Sequence, residues 1–110
     1  MKASGYYCTI ADFELFISEM TVSFSNLKSL LHIESSIPVK GSLFKRLSNP
    51  QDTEQRLILV ERNLLVLSSC WNLCLYHRAT DATVINIPEE ATELFFAWFK
   101  GRVDAHITKH

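Results

Sequence analysis

The sequence predicts a mainly β, α+β fold: a bent antiparallel sheet, or partly open barrel, of about seven strands closed by a C-terminal amphipathic helix. Three observations favour this class. Residues 83–103 combine a β-branched segment with an amphipathic one, residues 20–25 alternate apolar with polar side chains, and the apolar stretch 56–78 is interrupted by polar breaks. Alternation with period two is typical of strands, and spacings of three and four residues are typical of helices.

Length and composition indicate one folded domain, residues 1–110. A chain of 110 residues can bury a single core, and its 47% hydrophobic and 21% charged residues are ordinary for a globular protein. The net charge of −1 provides no overall positive field, so nucleic-acid binding is not expected. Three cysteines do not make a disulfide framework. The start is a poor signal peptide, and no transmembrane segment is expected, because no uninterrupted apolar run approaches ~18 residues. These features favour a cytoplasmic, reducing location.

The C-terminal elements carry the strongest signals. Residues 82–87 are β-branched and alternating, which predicts a strand. A helix is predicted over residues 88–102, with Pro88 at its start and acidic residues in its first turn, where the helix dipole favours negative charge. The apolar side chains of this helix recur at i, i+3, i+4 and i+7. Its predicted contribution to the core is Leu94, Phe95, Trp98 and Phe99.

The remaining strands are predicted from shorter patterns. Residues 20–25 place Met20, Val22 and Phe24 on one face, and residues 56–78 divide after residues 60 and 67. The full set of predicted strands is 6–17, 20–33, 42–48, 56–61, 64–69, 72–77 and 82–87. Periodicity alone cannot distinguish short apolar strands from a buried helix. The alternative is therefore an all-α four-helix bundle with helices near 9–33, 42–48, 52–78 and 88–102.

Several of these segments resemble the pleckstrin-homology superfold. The residues "GSLFKRL" (41–47), "QRLILV" (55–60) and "NLLVLSS" (63–69) are similar to its opening strands. The residues "TVINIPEEATELFFAWFKGRV" (83–103) are similar to its last strand and closing helix, with Trp98 where that helix usually carries a tryptophan. The resemblance implies seven strands closed by a helix. It also implies a phosphoinositide site at Lys45, Arg46 and Arg56, which the acidic Glu54 opposes.

The stretch "CWNLCLYH" (70–77) is the one candidate for metal or thiol chemistry. A helix would bring Cys70, Cys74 and His77 within roughly 60° of one another, whereas a strand would point His77 to the opposite face. Trp71, Leu73 and Leu75 flank the trio, and cysteine is commonly a small buried hydrophobe, so core packing is expected. No metal or cofactor is predicted. With no nucleophile motif and no glycine-rich phosphate loop, an enzyme is not expected either.

The remaining interpretation is a non-catalytic protein–protein interaction module, a small adaptor or a regulatory subunit. It would recognise a protein or peptide partner, or a further copy of itself, at a sheet edge or beside the closing helix. Phe96 lies off the Trp98 stripe and is the sharpest candidate contact, unless it packs against the N-terminal segment. One alternative is a phosphoinositide or membrane-surface binding domain, although net charge makes phosphoinositide binding unfavourable. A second is a small all-α regulatory or nucleic-acid-binding protein.

Overall fold

A computed structural model of the chain describes residues 3–36, 50–102 and 108–109. Two long helices dominate it, joined to a small sheet and a short third helix. The order of elements is β1 (Ala3–Thr9), α1 (Ile10–Ser36), α2 (Pro50–Ala79), β2 (Val84–Pro88), a 3₁₀ turn (Glu89–Ala91), α3 (Thr92–Phe99) and β3 (Thr108–Lys109). Helices α1 and α2 pack against each other, and at 1.5 Å per residue α2 is about 45 Å long. The molecule is correspondingly elongated, 55 × 26 × 20 Å.

The sheet has β1 at its centre, with β2 and β3 on either side and both antiparallel to it. Cys8 pairs with Ile85, and the register shifts between Ala3 and Tyr7. Gly5 lies within this shift at φ 86°, a backbone conformation that residues with a Cβ rarely adopt. The sequence of β1 therefore accommodates a bulge through a single glycine.

Side chains and backbone turns define the ends of the long helices near the sheet. Thr9 caps α1, because its hydroxyl oxygen accepts a hydrogen bond from the Asp12 amide at 3.1 Å. At the end of α2 the Ala82 amide donates to the His77 carbonyl at 3.1 Å, and the Asp81 amide donates to the Arg78 carbonyl at 3.2 Å. Asp81 has φ 57°, so the helix ends in a Schellman motif with aspartate in the left-handed position.

The core lies where the first half of α1 meets α3, the sheet and the second half of α2. Phe16 is completely buried, and its ring centroid lies 5.0 Å from that of Phe95 and 5.7 Å from that of Trp98. Phe13 lies 5.6 Å from Phe16. These edge-to-face and tilted ring contacts stabilise more than apolar burial alone would. The same cluster buries Cys8, Ile10, Ile17, Leu67, Cys70, Cys74, Ile85, Ile87 and Ala91.

A polar contact fixes the end of α3 against α1. The indole Nε1 of Trp98 donates to Oε2 of Glu19 at 3.3 Å, and Nη1 of Arg102 donates to Oε1 of Glu19 at 3.1 Å. The Arg102 guanidinium also lies 5.3 Å from the centre of the Trp98 ring. The carboxylate of Glu19 thus satisfies the indole N–H of a buried tryptophan and orients the cation that covers it.

The predicted seven-strand barrel is wrong, and with it the pleckstrin-homology-like layout. Predicted strand 20–33 lies within α1, and predicted strands 56–61, 64–69 and 72–77 all lie within α2. Predicted strand 6–17 crosses the boundary between β1 and α1, and 42–48 lies outside the described residues. The alternation in residues 20–25 was coincidental, because the side chains that α1 buries near the sheet follow helical spacing: Ile10, Phe13, Phe16 and Ile17.

The C-terminal predictions fared better. The predicted strand 82–87 corresponds to β2, and of the predicted helix 88–102 the structure forms α3 over Thr92–Phe99. The helix is shorter because Pro88 ends β2 and a 3₁₀ turn follows it. In the alternative four-helix bundle, the helices near 9–33 and 52–78 correspond to α1 and α2. The all-α class of that alternative is wrong because the chain also forms a sheet.

Trp98→Ala should remove ~3–5 kcal/mol from the free energy of unfolding, because the variant leaves a cavity against Phe16 and Phe95. That loss is comparable to the whole stability of a small domain, ~5–15 kcal/mol. Urea denaturation followed by circular dichroism measures it. Tyr76→Ala is the control, because Tyr76 is an aromatic residue that α2 leaves exposed. Equal losses in the two variants would contradict the core placed at Trp98.

Candidate functional site

The half of the α1–α2 pair that lies away from the sheet exposes more large apolar side chains than it buries. We call residues 21–33 and 52–66 the distal hairpin. Among large apolar side chains described there, only Leu31 and Val60 are buried. The exposed ones range from 42% to 69% in accessibility: Val22, Leu27, Leu30, Ile33, Ile58, Leu59 and Leu65. A helix that is apolar around most of its circumference is usually covered on more than one side.

An apolar groove runs between α1 and α2. Its larger part encloses about 450 Å³ and is lined by Ile17, Ser18, Thr21, Val22, Leu64, Leu67, Ser68 and Trp71. A second part of about 310 Å³ adjoins it through the shared Leu64 and is lined also by Lys28, Glu61 and Leu65. From Trp71 to Glu61 the groove follows about three turns of helix, or about 15 Å. That length fits one side of a docked helix.

The two walls of the groove differ in side-chain size. On α2 the wall repeats at spacings of three and four residues through Leu64, Ser68 and Trp71, and the 46%-exposed Leu75 continues the same phase. On α1 the wall follows Ser18 and Thr21, and Ser25 continues its phase. Above the buried Ile17 and Leu67, the wall from α2 therefore carries Leu64, Ser68 and Trp71, whereas the wall from α1 carries the smaller Ser18, Thr21 and Val22. Spacings of three and four residues are those of a helix-packing seam.

Two ion pairs connect α1 to α2 at the ends of this groove. At the distal end Nζ of Lys28 lies 3.7 Å from Oε1 of Glu61. Toward the sheet, Nε of Arg78 lies 3.4 Å from Oε1 of Glu14. Glu14 precedes Ser18 by four residues and Arg78 follows Trp71 by seven, so helical phase places both on the groove side. The charges at the four corners of the groove consequently alternate in sign.

Length and composition alone would allow α2 to cross a membrane. The segment Asp52–Ala79 has a mean hydropathy of 1.3 in its most apolar window, of which 22% is buried. Core helices of soluble proteins pass the same test, but those helices are mostly buried. The sequence expectation concerned uninterrupted apolar runs, which Glu61 and Arg62 break. The exposed apolar surface of α2 could therefore contact either a protein or a lipid bilayer.

The candidate metal residues lie on a helix rather than a strand, so the reasoning that separated His77 from the cysteines was wrong. Cys70 and Cys74 are nevertheless fully buried, and the prediction of core packing for them is confirmed. Burial raises the pKa of the Cys8 and Cys70 thiols to about 12 and that of Cys74 to about 11. Within residues 3–36, 50–102 and 108–109, no group of three or more His, Cys, Asp or Glu side chains could hold a metal ion.

The structure does not bring the predicted binding residues together. Phe96 is half-buried and packs edge-to-face on Tyr6, with ring centroids 5.0 Å apart. It therefore packs against the N-terminal segment, which was the alternative to its being an exposed binding contact. Arg56 is exposed in the second turn of α2, and Lys45 and Arg46 lie outside the described residues. Because Arg56 is on a helix, the strand-to-strand phosphate site implied by the resemblance does not form around it.

The predicted core residues, unlike the predicted binding residues, lie together in one cluster. Phe95 and Trp98 are buried, and Leu94 and Phe99 pack partly buried against the same cluster. Sequence reasoning missed the groove, because its walls become neighbours only once 56–78 is a helix. Two signals could have indicated this: the capping pair Thr9 and Asp12, and the three–four spacing of Leu64, Ser68, Trp71 and Leu75.

Comparison with protein-family models, with curated proteins and with solved structures finds no match to this chain. The groove and the surface around it are therefore the features from which a function is inferred.

The buried thiols should be unreactive in the native protein. A thiol reagent at pH 8 should modify none of the three cysteines before unfolding and all three afterwards, because only the thiolate reacts. The raised pKa also sets the direction of the pH dependence. An unfolded thiol with a pKa near 9.0 ionises first, so stability should fall as pH rises from about 9 toward 12. Rapid labelling of the folded protein would contradict this assignment.

Proposed function

We propose that this chain is a non-catalytic interaction module that binds a helical segment of a protein in the groove between α1 and α2. The observation that carries the proposal is the pair of adjoining apolar pockets between α1 and α2, along which Val22, Leu65 and Trp71 are exposed. Recognition of an amphipathic helix needs an apolar channel of several turns into which i, i+3, i+4 and i+7 side chains insert. The groove supplies that channel, and it lies on the two longest elements of the fold.

The chemistry of the lining supports a protein ligand. Its polar groups are the hydroxyls of Ser18, Thr21 and Ser68, and the charged side chains among its lining residues are Lys28 and Glu61. The second ion pair, Glu14 with Arg78, lies beyond the lining at the end toward the sheet. Trp71 is 40% exposed, and partly exposed aromatic side chains are frequent anchors of protein interfaces. A small adaptor or regulatory subunit would use such a surface. This location replaces the sheet edge and the Phe96 side of α3 as the favoured binding surface.

Photocrosslinking from adjacent positions tests the proposal. Ser68 lines the groove, whereas Ser69 is exposed on the next position around the same helix. A photoreactive amino acid placed at residue 68 and expressed in living cells should give a discrete adduct with a polypeptide, and one at residue 69 should give little or none. Because the two positions differ by about 100° on α2, the comparison isolates the direction of the groove.

Three results would count against the proposal. Equal crosslinking from both positions would indicate non-specific contact, and no adduct from residue 68 would leave the groove without a protein ligand. Adducts with lipid alone would favour the membrane interpretation of α2. In each variant, circular dichroism should first show wild-type helix content.

A further inference from the structure

We infer that the protein seated on the groove is a second copy of this chain, so that two α1–α2 pairs associate face to face as a four-helix bundle. The inference rests on the proposed function and names its partner. In the arrangement we propose, a two-fold axis runs parallel to the helices and places α1 of each copy over α2 of the other. Each helix then has antiparallel neighbours only, as in an up-and-down bundle.

Charge complementarity supports this partner. Lys28 and Glu61 stand at the same height, because they form an ion pair at 3.7 Å within one chain. The proposed two-fold exchanges α1 with α2, so each Lys28 comes opposite Glu61 of the second copy. It does the same for Glu14 and Arg78, which pair at 3.4 Å within one chain. Both ends of the groove are therefore complementary to themselves, which an interface between identical copies requires.

The different sizes of the two walls select this two-fold over the other possible one. An axis perpendicular to the helices would also bring unlike charges together, but it would place the small wall of Ser18 and Thr21 on itself and the wall of Leu64 and Trp71 on itself. Packing is closest when large side chains face small ones across an interface. The proposed axis achieves this by setting Leu64 and Trp71 against the smaller Ser18, Thr21 and Val22 of the other copy.

The sheet and α3 leave the groove accessible. All eight residues lining its larger part belong to α1 or α2. Helix α3 contacts α1 through Phe13 and Phe16. Ser18 follows Phe16 by two residues and so lies on the opposite side of α1. Among the described residues, α1 and α2 alone line the larger part of the groove, and α3 contacts the side of α1 opposite Ser18.

Sedimentation equilibrium of the full chain tests the partner. Wild-type protein should shift from the mass of one chain toward that of two as its concentration rises through the micromolar range. Val22→Glu should remain monomeric, because Val22 lines the groove and is 57% exposed. The matched control is Leu30→Glu, which alters an equally exposed aliphatic residue on the same helix, two positions past Lys28 and therefore away from the groove. It should associate like wild type.

Mixing two charge variants tests the arrangement. Lys28→Glu alone and Glu61→Lys alone should each associate at least tenfold more weakly than wild type, because like charges then meet across the interface. A mixture of the two variants should form a heterodimer tighter than either homodimer. Positions 28 and 61 then carry opposite charges wherever they meet between chains, although they still carry the same charge within each chain. A mixture no tighter than its components would overturn the placement of α1 over α2.

The outcomes distinguish this inference from the proposed function. A wild-type chain that stays monomeric at every concentration overturns the inference. If residue 68 then crosslinks to a different polypeptide, the groove still binds a protein and the proposed function stands. If it crosslinks to none, both fail. If wild type and Val22→Glu both bind neutral lipid vesicles equally well, the ligand of the exposed apolar surface is a bilayer rather than a second copy. That result would overturn the inference.

Discussion

The aromatic contact between α1 and α3 is the interaction on which the rest of the structure depends. Phe16 on α1 touches both Phe95 and Trp98 on α3, and these rings close one side of the core above the buried Ile85 and Ile87 of β2. Helix α1 is thereby fixed to the sheet near its N-terminus. Its packing against α2 then positions the second long helix.

That contact also determines which part of the long helices remains uncovered. A sheet whose strands have seven, five and two residues and a helix of eight residues cover only the part of the hairpin near residues 10–20 and 67–79. Beyond it, α1 and α2 have only each other among the described elements, and two helices cannot bury apolar side chains that surround both. The groove begins within the part near the sheet, at Ile17 and Trp71, and extends toward Lys28 and Glu61, and its ends carry charges of alternating sign.

Sequence reasoning predicted the elements whose patterns are local and missed those that depend on a distant partner. The strand near residues 82–87 and the buried Phe95 and Trp98 followed from alternation and from helical spacing within a short segment. Helix α2 was not predicted from such a pattern. Its apolar residues lie around the whole helix, so the sequence shows neither the alternation of a strand nor a single apolar stripe of a helix. Once α2 is a helix, spacing of three and four residues defines the groove wall, but the small wall from α1 becomes its neighbour only through tertiary packing.

The central claim, that a second copy seated on the groove stabilises the α1–α2 pair, is tested most directly by hydrogen–deuterium exchange at several protein concentrations. Amides exchange through local opening, and segments with few buried contacts open most easily. Amides of residues 21–33 and 54–66 should exchange quickly in dilute protein and become protected as concentration rises, while those of 10–17 and 67–76 stay protected throughout. Protection of the distal hairpin that is unchanged across the whole concentration range would contradict the account.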